Sequence, residues 1–129
     1  MRGKSLNGLR ERFLRSRAKK IKEGEKLLSE YVERISKRYP ESTIVLFGSR
    51  ARGNHLPYSD YDVAVILREV RNKLLVIEEL RKLKPRGLPL DLLVIQVTEL
   101  SDPLIVRMFK ECKVLYDGLK IRSLIERES

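Results

Sequence analysis

Along the first forty positions apolar residues recur at helical spacing. Leu14, Ile21, Leu28 and Ile35 repeat every seven residues, and Ala18, Val32 and Tyr39 continue the same column four residues on. That is an apolar stripe on an otherwise charged helix. It predicts one helix over 4–39, stopped by Pro40. Such a helix would be roughly 54 Å long at 1.5 Å per residue, whereas a compact chain of this size is only roughly 36 Å across. The helix must therefore break, with Gly24 as the candidate, or let its first half overhang. Residues 25–39 are expected to pack on the domain and 1–22 to extend from it.

Downstream the pattern changes to short β-branched runs separated by helical spacings. Thr43 to Phe47 reads as a buried strand ended by Gly48-Ser49. A short helix over 49–53 follows, with Ser49 as its N-cap and Gly53 closing it. The stretch Asn54 to Ser59, with Pro57, reads as a loop, and Tyr61 to Leu67 as a second strand. Val70, Leu74, Ile77, Leu80 and Leu83 fall at helical spacing before Pro85-Arg86-Gly87. Leu90 to Val97 is a third strand. Ser101-Asp102-Pro103 opens another helix, with Pro in the first turn where its missing N–H is harmless. Lys113 to Tyr116 is a last edge strand before Asp117-Gly118, and 119–127 a final short helix. The alternation predicts a layered α/β or α+β domain with about four strands.

Composition narrows the class. A chain of 129 residues, 42% of them hydrophobic, can bury one core of ordinary size. It has no run of about 18 apolar residues that could cross a membrane and no signal-peptide pattern at its start. The lone Cys112 can form neither an internal disulfide nor a multi-cysteine zinc site. These features predict a cytoplasmic protein. The net charge is +10, and residues 1–38 hold 13 Lys/Arg against 5 Glu. A basic helix can neutralise nucleic-acid phosphates or be a solvated face. The interleaved Glu residues, with Glu11 expected to pair with Arg15 and Glu30 with Arg34, favour the solvated face and at most weak, salt-sensitive nucleic-acid binding.

Candidate chemistry lies in Phe47-Gly48-Ser49-Arg50-Ala51-Arg52-Gly53 and in Ser59-Asp60-Tyr61-Asp62. Asp60 and Asp62, two apart at the start of an apolar strand, share one face. Like charges there repel unless a cation lies between them. Asp91 opens a second apolar strand in the same way, and three carboxylates at adjacent strand starts make an oxygen-rich site suited to Mg²⁺. Each aspartate alone could equally be a turn residue. Gly48-Ser49 offers backbone N–H groups and a hydroxyl to an anion, and Arg50 and Arg52 add positive charge. The loop lacks the Gly-x-x-x-x-Gly-Lys-Ser/Thr pattern of a Walker A motif. His55 reads as a solvated loop residue, Tyr61 as packing away from the two carboxylates, and Cys112 as a small buried side chain.

Gly48-Ser49, ten residues, then Asp60-Tyr61-Asp62 resembles the Gly-Ser-x10-Asp-x-Asp signature of the DNA polymerase β-like nucleotidyltransferases. The Gly-Ser-Arg-Ala-Arg-Gly turn is similar to that of their small prokaryotic members, the minimal nucleotidyltransferases. The resemblance covers about 25–118. It leaves 1–24 as a basic helical extension and 119–129 as a helical tail. It implies a small mixed sheet of about four strands with helices packed on it. It also implies Asp60, Asp62 and Asp91 as ligands of two Mg²⁺ ions, and Gly48, Ser49 and Arg52 around the triphosphate of ATP. Such proteins are often antitoxins paired with a HEPN-domain toxin, some adding AMP to it. A catalytically silent binding protein and a nucleic-acid module built on the basic helix are the alternatives. A homo-oligomer or a hetero-complex through the N-terminal helix is a further expectation.

Overall fold

The computed structural model describes residues 2–55 and 59–126, with side chains 2–10, Phe13 and Arg17 excepted. Leu56, Pro57 and Tyr58 of the expected loop thus lie outside it. The elements are α1 (Arg2–Arg38), β1 (Ser42–Phe47), α2 (Gly48–Arg52), β2 (Tyr61–Leu67), α3 (Lys73–Lys82), β3 (Leu90–Gln96), a 3-10 turn (Val97–Ser101), α4 (Pro103–Met108), β4 (Lys113–Asp117) and α5 (Arg122–Glu126). One mixed sheet has the order β3-β2-β1-β4. β1 is antiparallel to both neighbours, and β2 runs parallel to β3, a pairing that requires a crossover, here supplied by α3.

Period-2 alternation divides the core between the faces of the sheet. Ile44, Leu46, Val63, Val65 and Val94 meet Leu28, Tyr31 and Ile35 of α1 and Leu80 of α3 on one face. Val45, Phe47, Ala64, Ile66 and Ile95 meet Ile105, Phe109, Cys112 and Ile125 on the other. Ile125 is 5% exposed, so the segment after Gly118 packs on the sheet.

α1 passes through Gly24 unbroken, so the second of the two expected solutions holds and the helix overhangs. Its described side chains from Glu11 to Lys20 are all exposed. The core-facing positions are Leu28, Tyr31 and Ile35, spaced three and four apart as one helix face requires. Tyr31, outside the seven-residue column, is fully buried, and its hydroxyl donates to the Leu80 carbonyl at 2.7 Å. Glu11 and Arg15 pair at 3.3 Å as expected. Arg34 instead donates to the Leu83 carbonyl at 3.1 Å. Leu83 is the C-cap of α3, where unpaired carbonyls attract a cation.

The β4 end is closed by one carboxylate. Asp117 accepts from the Thr43 hydroxyl at 2.9 Å and from the N–H groups of Ile121 (2.9 Å) and Arg122 (3.1 Å). Burial opposes ionisation, but those three hydrogen bonds and the Arg122 charge outweigh it and hold the carboxyl below its ordinary value. A depressed folded-state value gives stability that is complete above the unfolded value, near about pH 4, and is lost as pH falls through the folded value. Asp117→Asn is expected to melt lower at pH 7 and to show a flatter loss of stability below about pH 4, measured by thermal denaturation across pH. The next residue, Gly118, donates to the Ser42 carbonyl at 2.7 Å, and a Cβ there would overlap the carbonyl oxygens of Pro40 and Ser42.

Candidate active site

The strand register brings the predicted carboxylates together. Asp62 pairs with Phe47 across β1 and with Asp91 across β3. The C-terminal end of β1, where the Gly48-Ser49 turn begins, therefore lies beside the starts of β2 and β3. The side chains of Asp62 and Asp91 share the face of Ala64, Ile66 and Ile95. Asp60 stands one residue before β2 and is exposed.

Gly48 has φ +73°, and a Cβ on it would collide with the Asp62 carboxylate. Any other residue would be strained in backbone and would fill the space beside Asp62. The helical turn starts at Gly48 itself, preceded by Phe47, with no side-chain cap. Ser49 is thus not the N-cap but sits inside the first turn, because the positive φ of Gly48 already bends the chain into α2.

Burial raises the Asp62 carboxyl above its ordinary range. The adjacent Asp91 carboxylate, through its charge and a hydrogen bond, and the charge of Asp60 push the same way, and Arg52 opposes them. Negative charge thus accumulates where little protein charge compensates it. Among the described residues no three acidic, His or Cys side chains close a cage around an ion. The donor set still fits Mg²⁺, which binds one or two carboxylates and takes further oxygens from substrate phosphates and water. The all-oxygen character suits a hard cation, and the space kept open by Gly48 adjoins it.

The two arginines separate in role. Arg52 is exposed and acts on Asp62 by its charge. Arg50 is buried, donates from Nε to the Ser59 carbonyl at 2.8 Å and lies over the Tyr61 ring at 3.9 Å. It thereby holds the residues on both sides of Asp60. Only its place in a charged turn was visible in the sequence; the nearness of Ser59 and Tyr61 comes from the return of the chain into β2. Tyr61 is buried on the opposite face from Asp62, as alternation predicted. His55 is half-buried in the loop. Cys112 is buried, which pushes its thiol up.

A glycine turn thus meets carboxylates gathered at one end of a small mixed sheet. The chain belongs to the nucleotidyltransferase domain family, whose match spans residues 28–116. In structure it is similar to a candidate nucleotidyltransferase of Sulfolobus solfataricus, with a TM-score of 0.63 and 25% identity over 81% of this chain and 90% of that one. None of the curated proteins matches it. No helix among the described residues is long and apolar enough to cross a membrane.

Proposed function

We propose that the domain catalyses Mg²⁺-dependent transfer of AMP from ATP to a hydroxyl on a partner protein, a HEPN-domain toxin, and so acts as its antitoxin. The nucleotidyl-transfer part of this reading is supported by one observation: the register seats the glycine turn directly against Asp62, beside Asp91. In this reading Gly48 and Ser49 cradle the triphosphate, Asp60, Asp62 and Asp91 hold the metal ions, and Arg52 adds charge beside the phosphates. The acceptor oxygen bonds to the α-phosphorus, its proton leaves to Asp91 or solvent, and pyrophosphate departs. Bound Mg²⁺ supplies stabilisation of the entering and leaving oxygens of an in-line displacement.

The overhang of α1 suits recruitment of that partner. Leu14 is 54% exposed on it, amid charged neighbours. The test incubates the protein with labelled ATP, Mg²⁺ and the product of the neighbouring gene, with mass spectrometry reading AMP on that product. AMP-bearing product is expected, and less of it from a chain lacking residues 2–19. No transfer to any neighbouring gene product would remove the antitoxin reading.

A further inference from the structure

Tyr61 stands between Asp60 and Asp62, and strand alternation carries its side chain to the back of the sheet. It is 3% exposed there. Gly24 of α1 lies against it: a Cβ on Gly24 would overlap the phenol hydroxyl and come within 3.2 Å of Cζ and 3.3 Å of Cε2. The helix backbone thus rests on the edge of the ring, an approach that only glycine permits. On the ring face sits the Arg50 guanidinium, 3.9 Å from the centroid. Burial, with the Glu25 charge behind it, raises the phenol above its ordinary value, and the charge and hydrogen bonding of Arg50 oppose this. The hydroxyl is also the atom nearest to the helix at Gly24.

We propose that α1 positions the carboxylates Asp60 and Asp62 through this contact, so that Tyr61 is a positioning residue and Gly24 its seat. The N-terminal helix is then a working part of the transfer site, although Gly24 lies upstream of the family match at 28–116. A rigid ring between a helix backbone and the residue joining two carboxylates passes on any shift of the helix towards it, because the helix backbone and the ring already lie too close for even a Cβ between them. A pocket of about 510 Å³ lined by Lys20, Glu23, Gly24, Tyr61 and Pro89 adjoins the contact. The inference rests on the reading of Asp60 and Asp62 as the metal-binding pair.

The test is a double-mutant cycle in the full chain with Gly24→Ala, Tyr61→Phe and both together, read as ATP affinity by calorimetry in Mg²⁺ and in EDTA. Alanine is the better helix former, so α1 itself is not weakened. Gly24→Ala is expected to weaken Mg²⁺-dependent binding about tenfold and to leave binding in EDTA unchanged, and the double variant to return within about twofold of Tyr61→Phe. Tyr61→Leu, which removes the ring edge from under the helix, should show the same metal-selective loss and decides the matter if Gly24→Ala does not fold. Equal losses with and without Mg²⁺, no recovery in the double variant, or wild-type binding by Gly24→Ala or Tyr61→Leu would each overturn the inference alone. Wild-type protein that binds no ATP in Mg²⁺ would sink the functional reading and the inference together.

Discussion

Asp62→Asn is expected to abolish Mg²⁺-dependent nucleotidyl transfer, by on the order of a thousandfold or more, while the fold survives and melts slightly higher. The two effects have one cause. Asp62 is held above its ordinary range first by burial, then by Asp91 and Asp60. An acid with a raised folded-state value is less stable in its charged form when folded, so at pH 7 its ionisation opposes folding. Asparagine keeps the shape and removes that charge together with the oxygen pair a cation needs. The variant should also lose the rise in melting temperature that Mg²⁺ and ATP give the wild type, since only a ligand that binds the native state stabilises it. A variant still stabilised by Mg²⁺·ATP and still transferring at the wild-type rate would show that Asp62 holds no metal.

Gly118→Ala is expected to be the most damaging conservative change away from the site, costing about 3 kcal/mol. The obstacles to a Cβ are the backbone oxygens of Pro40 and Ser42, together with the Tyr116 ring at 2.9 Å. Backbone that already carries the hydrogen bond from Gly118 to Ser42 cannot move aside as a flexible side chain would. Since a domain has only about 5–15 kcal/mol to lose, the urea midpoint should fall markedly at unchanged slope. A midpoint within experimental error of wild type would mean that the Pro40–Ser42 segment yields freely.

The β-strands and the carboxylates were legible because both depend on short-range pattern. Asp60 and Asp62 announce themselves by being charged where the alternation expects apolar side chains. The Asp91 partnership required only that β2 and β3 be neighbours, which a crossover helix between them suggests. Long-range contacts were not legible. Leu74 falls on the expected inner stripe of α3 yet is 67% exposed, because α3 starts only at Lys73, capped by the Asn72 side chain, and its core contact comes from Leu80. Gly24 reads as a flaw in a helix until Tyr61, 37 positions on, is seen against it. Tyr31 was missed because a strict period of seven hides the residue three after Leu28. Arg50 looks like phosphate chemistry in sequence but is spent on Ser59 and Tyr61.

The placement of β1 bears on how the chain is made. All six of its residues are buried, and its far edge is covered only by β4, the last strand in the chain. Thr43 and Asp117, which meet across that edge, are 74 residues apart. A ribosome adding about 5–20 residues per second leaves this apolar strand with an open edge for roughly 4–15 s. An uncovered edge of that kind is a template for pairing with other nascent chains. The growing polypeptide is therefore a natural client for chaperones until Asp117 emerges, and a product ending before β4 would be aggregation-prone whatever the state of its catalytic residues.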